Sequence, residues 1–251
     1  MLKIKQALPF LIVVSILILT RFLNLTWGLP YPFHPDERNM ANAIQQLSCN
    51  FYDLQNCFNP HFFAYGQFPI YLGYLGVYIL KFLGGDLGFP ISFEEAAFSL
   101  RLISTAASLI TAFFIYRTFK RIFFTEKNHL DKYLLLLLFI FSPGLIQSAH
   151  FGTTESLLAM LFTWLVYESL LFINDKISLK HFLLISSIVS GLAVATKVSS
   201  LVFVALPIVA ILYSSSNIEK IGSRLTTFAR TIIIYAFLTF LIGTIFSPHN
   251  F

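Results

Sequence analysis

Apolar runs separated by short polar interruptions fill almost the whole chain, at 7–20, 98–116, 133–149, 156–173, 181–196, 198–213 and 231–247. Each approaches the roughly 20 residues that a helix needs to cross a bilayer, so the pattern predicts about seven transmembrane helices. The first run follows Met1, Lys3 and Lys5 and has no small-residue cleavage site before Trp27, which makes it an uncleaved anchor. The runs on either side of Lys197 have no loop between them and predict two tilted, shortened helices meeting near a membrane face. An eighth apolar segment, 68–83, carries Tyr71, Tyr74 and Tyr78 at i, i+3 and i+7. A tyrosine stripe on one helix face suits an interface that is apolar on one side and wet on the other, so this segment is expected to lie on the outer surface.

Composition removes the alternatives. Hydrophobic residues make up 57% of the chain and charged residues 12%, about half the charge of a soluble domain. A soluble globular fold, a disordered chain and a low-complexity chain are all excluded. The fold class is therefore an all-α polytopic membrane protein, with 1–251 forming a single membrane domain. A pI near 9.2 reads as topology signal and not as a nucleic-acid footprint, because Lys and Arg are dispersed between the apolar runs.

With a cytoplasmic N-terminus and a non-crossing 68–83, 12 of the 17 Lys and Arg residues face inward, as the positive-inside rule requires. An external N-terminus with a crossing 68–83 gives the same count. The Lys-flanked anchor and the tyrosine stripe favour the first arrangement, a multi-pass protein of the plasma (inner) membrane whose long loop at 26–97 faces outside. That loop is patterned for surface helices and holds Asp36, Glu37, Asp53, Asp86, Glu94 and Glu95, with Glu155 on the same side. It also contains the two cysteines, Cys49 and Cys57, which form a disulfide in an oxidising compartment or remain two unpaired thiols.

The sharpest local signal is His34-Pro35-Asp36-Glu37-Arg38. Pro at the first helical position and acids in the first turn would suffice to start a helix. Two adjacent acids behind His-Pro exceed that need and point to a general base at a cavity mouth, with a second acid that tunes it or binds a metal. The stretch 142–156, with His150 and Glu155, falls on the same face, although Thr153 or Thr154 there would also serve simply as a helix cap. A third stretch, Gly191 to Lys197, ends in a lysine at the outer end of a span. Arg101, Arg38 and Arg21 complete a set of cations on the acidic side. Such a set fits an anionic ligand such as a phosphate, or side chains that snorkel to the interface.

Taken in order, the basic-flanked anchor, His34-Pro35-Asp36-Glu37, the Tyr65-Gly66-Gln67-Phe68-Pro69 step, Arg101, the 143–155 stretch and Gly191 to Lys197 resemble the membrane-embedded glycosyltransferases of the GT-C fold. Closest are the protein O-mannosyltransferases and the aminoarabinose transferases of lipid A. The resemblance covers the N-terminal membrane module of that family and implies a chain that is part of a longer enzyme. It implies transfer of a sugar from a polyprenyl-phosphate carrier to an acceptor hydroxyl of a protein, lipid or glycan, on the extracytoplasmic face and with inversion. Asp36 would be the catalytic base, and Glu37 would position the acceptor or hold the base. Arg101 and Lys197, with His150, Arg38 and Tyr65, would bind substrate or lipid phosphate. In a metal-dependent version, Asp36 and Glu155 would be ligands for Mg2+ or Mn2+. No GxGxxG or GxxxxGK[ST] loop occurs, which fits a lipid-linked rather than a nucleotide-linked donor. Two rivals come from other classes. A flippase-like transporter would need charges deep within its spans, where only Glu168 sits, and a non-catalytic membrane subunit would share the fold without the chemistry.

Overall fold

The computed structural model describes residues 2–48, 57–85, 88, 90–122, 136–215 and 221–250. Among them every regular element is helical: α1 (Leu2–Phe22), α2 (Pro35–Gln46), α3 (Phe68–Gly84), α4 (Phe93–Ile122), α5 (Pro143–His150), α6 (Glu155–Ile173), α7 (Leu179–Thr196), a 3-10 helix (Val198–Val204), α8 (Ala205–Ser215) and α9 (Ile221–Phe246). Five of these segments are long and apolar enough to cross a bilayer, namely Phe93–Ile122, Glu155–Ile173, Leu179–Thr196, Val198–Ser215 and Leu225–Phe246. Leu8–Phe22 and Phe68–Gly84 are shorter apolar helices. The all-α polytopic class is thus as the pattern predicts.

One run departs from the prediction. The stretch 133–149 is not a single helix: it is helical at 136–140, turns at Phe141, and restarts at Pro143. Proline lacks the N–H that helix continuation needs and pushes its predecessor out of the helical region, and Ser142 is accordingly extended at ψ 113°. At Lys197 no loop intervenes, one extended residue (φ −160°, ψ 128°) separating α7 from the 3-10 helix, and the segment on each side is long enough to cross a bilayer by itself.

The chain forms two compact units, Met1–Phe62 with Pro69–Met160, and Phe63–Phe68 with Leu161–Phe251. In the first, Val13 and Leu17 of α1, Ala112 of α4, and Leu136, Phe139 and Ile140 share an apolar core. Arg21 is fully buried at its upper edge. Its guanidinium donates to Ser108 Oγ at 3.0 Å, to the Ile140 carbonyl at 3.1 Å and to the Phe139 carbonyl at 3.3 Å. These are end-of-helix carbonyls without intrahelical partners, and a cation there also complements the helix dipole. Arg21 is therefore a structural cation. Between α2, α3 and α4 the packing is tight, because a Cβ on Gly73 would overlap Ile44 and crowd Leu100. Lys81 of α3 pairs with Glu95 at 2.7 Å, and Ser99 Oγ donates to the Gly73 carbonyl at 2.7 Å.

In the second unit, Phe172, Phe182, Ala210, Ile211 and Tyr235 form the core, with Phe172 and Phe182 stacked at 4.2 Å. Gly191 lets α9 approach α7 closely, since a Cβ there would meet Ile242, the small-residue contact that membrane helices favour. Ile233, Phe237 and Phe240 on α9 are exposed, as expected of a surface that faces lipid. Glu168 of α6 accepts from Trp164 Nε1 at 3.3 Å and lies 3.7 Å from His181 Nε2.

Candidate functional residues in the two units

The site in the first unit is built on the start of α2. His34 caps the helix, its Nδ1 accepting from the Asp36 N–H at 3.2 Å, and Pro35 occupies the first helical position. This is the helix start that the sequence permits, so the bland reading of the motif is also true. Successive residues on a helix point about 100° apart, and the two acids consequently have different fates. Glu37 joins Met40, Ala41 and Ile44 on the buried stripe, while Asp36 is half-exposed.

Glu37 is fully buried and completely engaged. Its Oε1 accepts from Arg101 Nε at 2.7 Å and from the Gly152 N–H at 2.7 Å, and its Oε2 accepts from Arg101 Nη2 at 2.8 Å. Arg101 is 1% exposed. Its Nη1 donates to the Leu25 and Trp27 carbonyls at 2.8 and 2.7 Å. Four of the five donors of a guanidinium are thus engaged within the protein. This bidentate pair ties α2, α4, the turn after α1 and the 151–153 turn into one frame, in surroundings where an unpaired charge is very costly. In this arrangement both side chains position the head of α2, and Arg101 keeps one donor outside these bonds while also lining the adjoining cavity.

Asp36, by contrast, has no hydrogen-bond or ion-pair partner for its carboxylate among the described residues. His34 packs against Phe151 with ring centroids 5.0 Å apart, and the Arg101 guanidinium carbon lies 6.0 Å from the centroid of the Phe151 ring. His150 is a strut, with Nδ1 2.8 Å from the Ile146 carbonyl and Nε2 2.9 Å from the Leu23 carbonyl. A cavity of about 520 Å3 opens beside it, bounded by Thr20, Trp27, Arg101, Ile146, His150 and Phe151. Arg38 is exposed. Glu155 stands in the first turn of α6, 3.4 Å from the Thr154 hydroxyl. No three His, Cys, Asp or Glu residues gather into a metal site among the described residues. Asp36 and Glu155 alone offer fewer carboxylates than a hard-cation site ordinarily uses, so no step is routed through a metal.

A separate cluster lies in the second unit. Gly66 N–H donates to the Thr196 carbonyl at 3.0 Å, and a Cβ at Gly66 would overlap the Ala195 carbonyl. The Gln67 N–H donates to Ser247 Oγ at 3.0 Å and Asn250 Nδ2 to the Tyr65 carbonyl at 3.0 Å. This docking lays the Tyr65 ring under Lys197, whose Nζ is 4.9 Å from the ring centroid. Sequence order places these two residues 132 positions apart, and the close approach of Gly66 to the end of α7 brings them together. Cys57 is disulfide-bonded, while Cys49, Asp53 and Asp86 fall outside the described residues.

Phe151, Gly152 and the carbonyls of Leu25 and Trp27 are the site components that sequence reasoning misses. Backbone groups carry no side-chain signature. The inward turn of Glu37 did have one, because it continues the i, i+3, i+4, i+7 spacing of Met40, Ala41 and Ile44.

A many-helix membrane protein with an acid at the head of a short loop helix is the class defined by this fold and site. The solved structure of ArnT from Cupriavidus metallidurans in the apo state superposes with a TM-score of 0.58 at 16% identity, covering 97% of this chain and 42% of that one. ArnT from the same organism bound to undecaprenyl phosphate gives 0.55 at 16% identity with the same coverage. The present chain therefore spans less than half the length of either neighbour. Residues 87–242 match the family described as dolichyl-phosphate-mannose-protein mannosyltransferase, and the chain belongs to that family, with the GT-C membrane glycosyltransferase fold. No curated protein matches the sequence at a significant level.

Proposed function

We propose that the protein transfers a sugar from a polyprenyl-phosphate carrier to an acceptor hydroxyl at the extracytoplasmic face. The observation that carries this reading is the contrast between two adjacent acids at the head of α2, Glu37 buried and held by three hydrogen bonds, Asp36 half-exposed and without a carboxylate partner among the described residues. Asp36 accepts the proton of the acceptor hydroxyl as its oxygen attacks the anomeric carbon. The bond from that carbon to the phosphate oxygen breaks, the lipid phosphate leaves, and direct displacement inverts the configuration. Lys197, held against Tyr65, supplies the positive charge for the departing phosphate. Glu37 and Arg101 fix the head of α2, and His150 holds the turn that carries Phe151. The outward orientation rests on the distribution of Lys and Arg along the chain and on the tyrosine stripe of α3. The fold and undecaprenyl phosphate in the second ArnT structure support a polyprenyl-phosphate donor.

The test is transfer from a labelled polyprenyl-phosphate sugar in sealed inner-membrane vesicles of defined orientation, with the product anomer assigned by NMR. An inverted product made only where the outer face meets the acceptor agrees with the reading. Retention of configuration, or transfer only at the inner face, contradicts it. Transfer that persists in excess EDTA agrees with the metal-free chemistry, and abolition restored by Mg2+ or Mn2+ overturns that part.

A further inference from the structure

The face of α2 that carries Asp36 continues into a second feature. Asp36, Asn39, Ala43 and Gln46 recur at i, i+3, i+7 and i+10 and share one side of the helix. Along that side runs a cleft of about 180 Å3, lined by Asn39, Asn42, Ala43 and Gln46 from α2 and by Pro60, His61 and Phe62 from the loop opposite. The loop is anchored, since the Phe58 N–H donates to the Ser48 carbonyl at 2.9 Å and Tyr71 Oη to the Phe58 carbonyl at 3.1 Å. Burial pushes the Tyr71 phenol up to about 12, so it stays a neutral donor. Asn42, Gln46 and His61 are exposed and Asn39 is half-exposed. None of these four side chains has a hydrogen-bond partner among the described residues.

Three amides and an imidazole without hydrogen-bond partners among the described residues, in a cleft whose described lining holds no Lys, Arg, Asp or Glu, define the chemistry of a ligand. Each amide both donates and accepts, which matches hydroxyl groups that do the same. Pro60 and Phe62 add an apolar wall for a C–H face. The volume is below that of a drug-sized pocket and suits one ring. Among the described residues no strand edge offers itself to a peptide backbone, and no cation lies in the lining for a phosphate. Asn39 sits about 4.5 Å along the helix axis from Asp36, the distance between a reacting group and an adjoining unit of the same molecule.

We propose that this cleft binds a neutral sugar ring of the acceptor, next to the hydroxyl that Asp36 activates. The inference rests on the catalytic reading of Asp36 for its purpose, but its test does not. The protein is reconstituted in nanodiscs free of glycoside detergent, and saturation-transfer NMR is recorded with a panel of neutral methyl hexopyranosides. The expected result is saturation transfer to at least one glycoside, lost in the exposed-site variants Asn42→Ala and Gln46→Ala and retained in Asp36→Asn. The polyprenyl-phosphate sugar donor is expected not to displace the glycoside, and displacement by it would assign the cleft to the donor and overturn the proposal. Absence of binding by every glycoside, equal signals in the alanine variants, or displacement by a neutral acetylated serine tripeptide would likewise overturn it. Glycoside binding with full transfer activity in Asp36→Asn would instead leave the cleft standing and remove the proposed base.

Discussion

Replacing Arg101 with Met separates a positioning role from a substrate contact. The substitution leaves Glu37, fully buried, with the Gly152 N–H as its remaining partner, and strips the Leu25 and Trp27 carbonyls of their shared donor. Breaking one side of a buried ion pair costs about 3–5 kcal/mol, and each orphaned carbonyl adds about 1–3 kcal/mol before relaxation. Arg101→Met is therefore expected to lower the free energy of unfolding by at least about 3 kcal/mol. Replacing Glu37 with Met as well removes the stranded charge and is expected to recover a substantial part of the loss, because an apolar pair of similar volume is often neutral or better. The assay is equilibrium unfolding in mixed micelles of rising SDS content, followed by tryptophan fluorescence. If Arg101→Met unfolds like the natural protein yet loses transfer, the frame argument is wrong and Arg101 acts on the substrate.

Three further outcomes follow from the same geometry. Gly152→Ala would push a methyl into Leu100 and against Glu37 Oε1, and is expected to cost about 1–3 kcal/mol in the same unfolding assay as an overpacked site. Lys197→Ala should lower kcat by roughly 10²-fold, the scale of losing one transition-state charge partner, with Lys197→Arg recovering part of it in initial-rate measurements. Gly66→Ala would drive the backbone away from the Ala195 carbonyl and should reduce transfer through the Tyr65–Lys197 pair, while Tyr65→Phe, which keeps the ring, should change the rate by only a few-fold.

Much of the fold is legible because scarce polar residues stand out in an apolar chain. The anchor, the helix start at His34-Pro35 and the break at Lys197 all follow from local chemistry. The interruption at Ser142-Pro143 was equally local, but the apolar run on both sides masks it when runs are counted by hydropathy alone. The site was legible only to the level of residue type. His34 to Glu37 shows that chemistry sits at the head of α2, yet which acid faces inward depends on the phase of the helix and on a partner 64 positions away at Arg101. Cations read as phosphate ligands divide by burial into Arg21 and Arg101, both fully or nearly fully buried against carbonyls, and Lys197 on its aromatic support. No pattern in a single sequence distinguishes a guanidinium that meets carbonyls from one that meets a ligand.

The central claim is that Asp36, and not its buried neighbour, performs the proton transfer. The most direct measurement is the initial rate of sugar transfer from a polyprenyl-phosphate donor by Asp36→Asn in membranes matched for protein content, alongside its unfolding in SDS. Asp36→Asn is expected to lose on the order of 10²-fold or more, the scale of a general base, with unchanged unfolding, because the Asp36 carboxylate has no partner to lose among the described residues. Near-natural transfer by Asp36→Asn would contradict it.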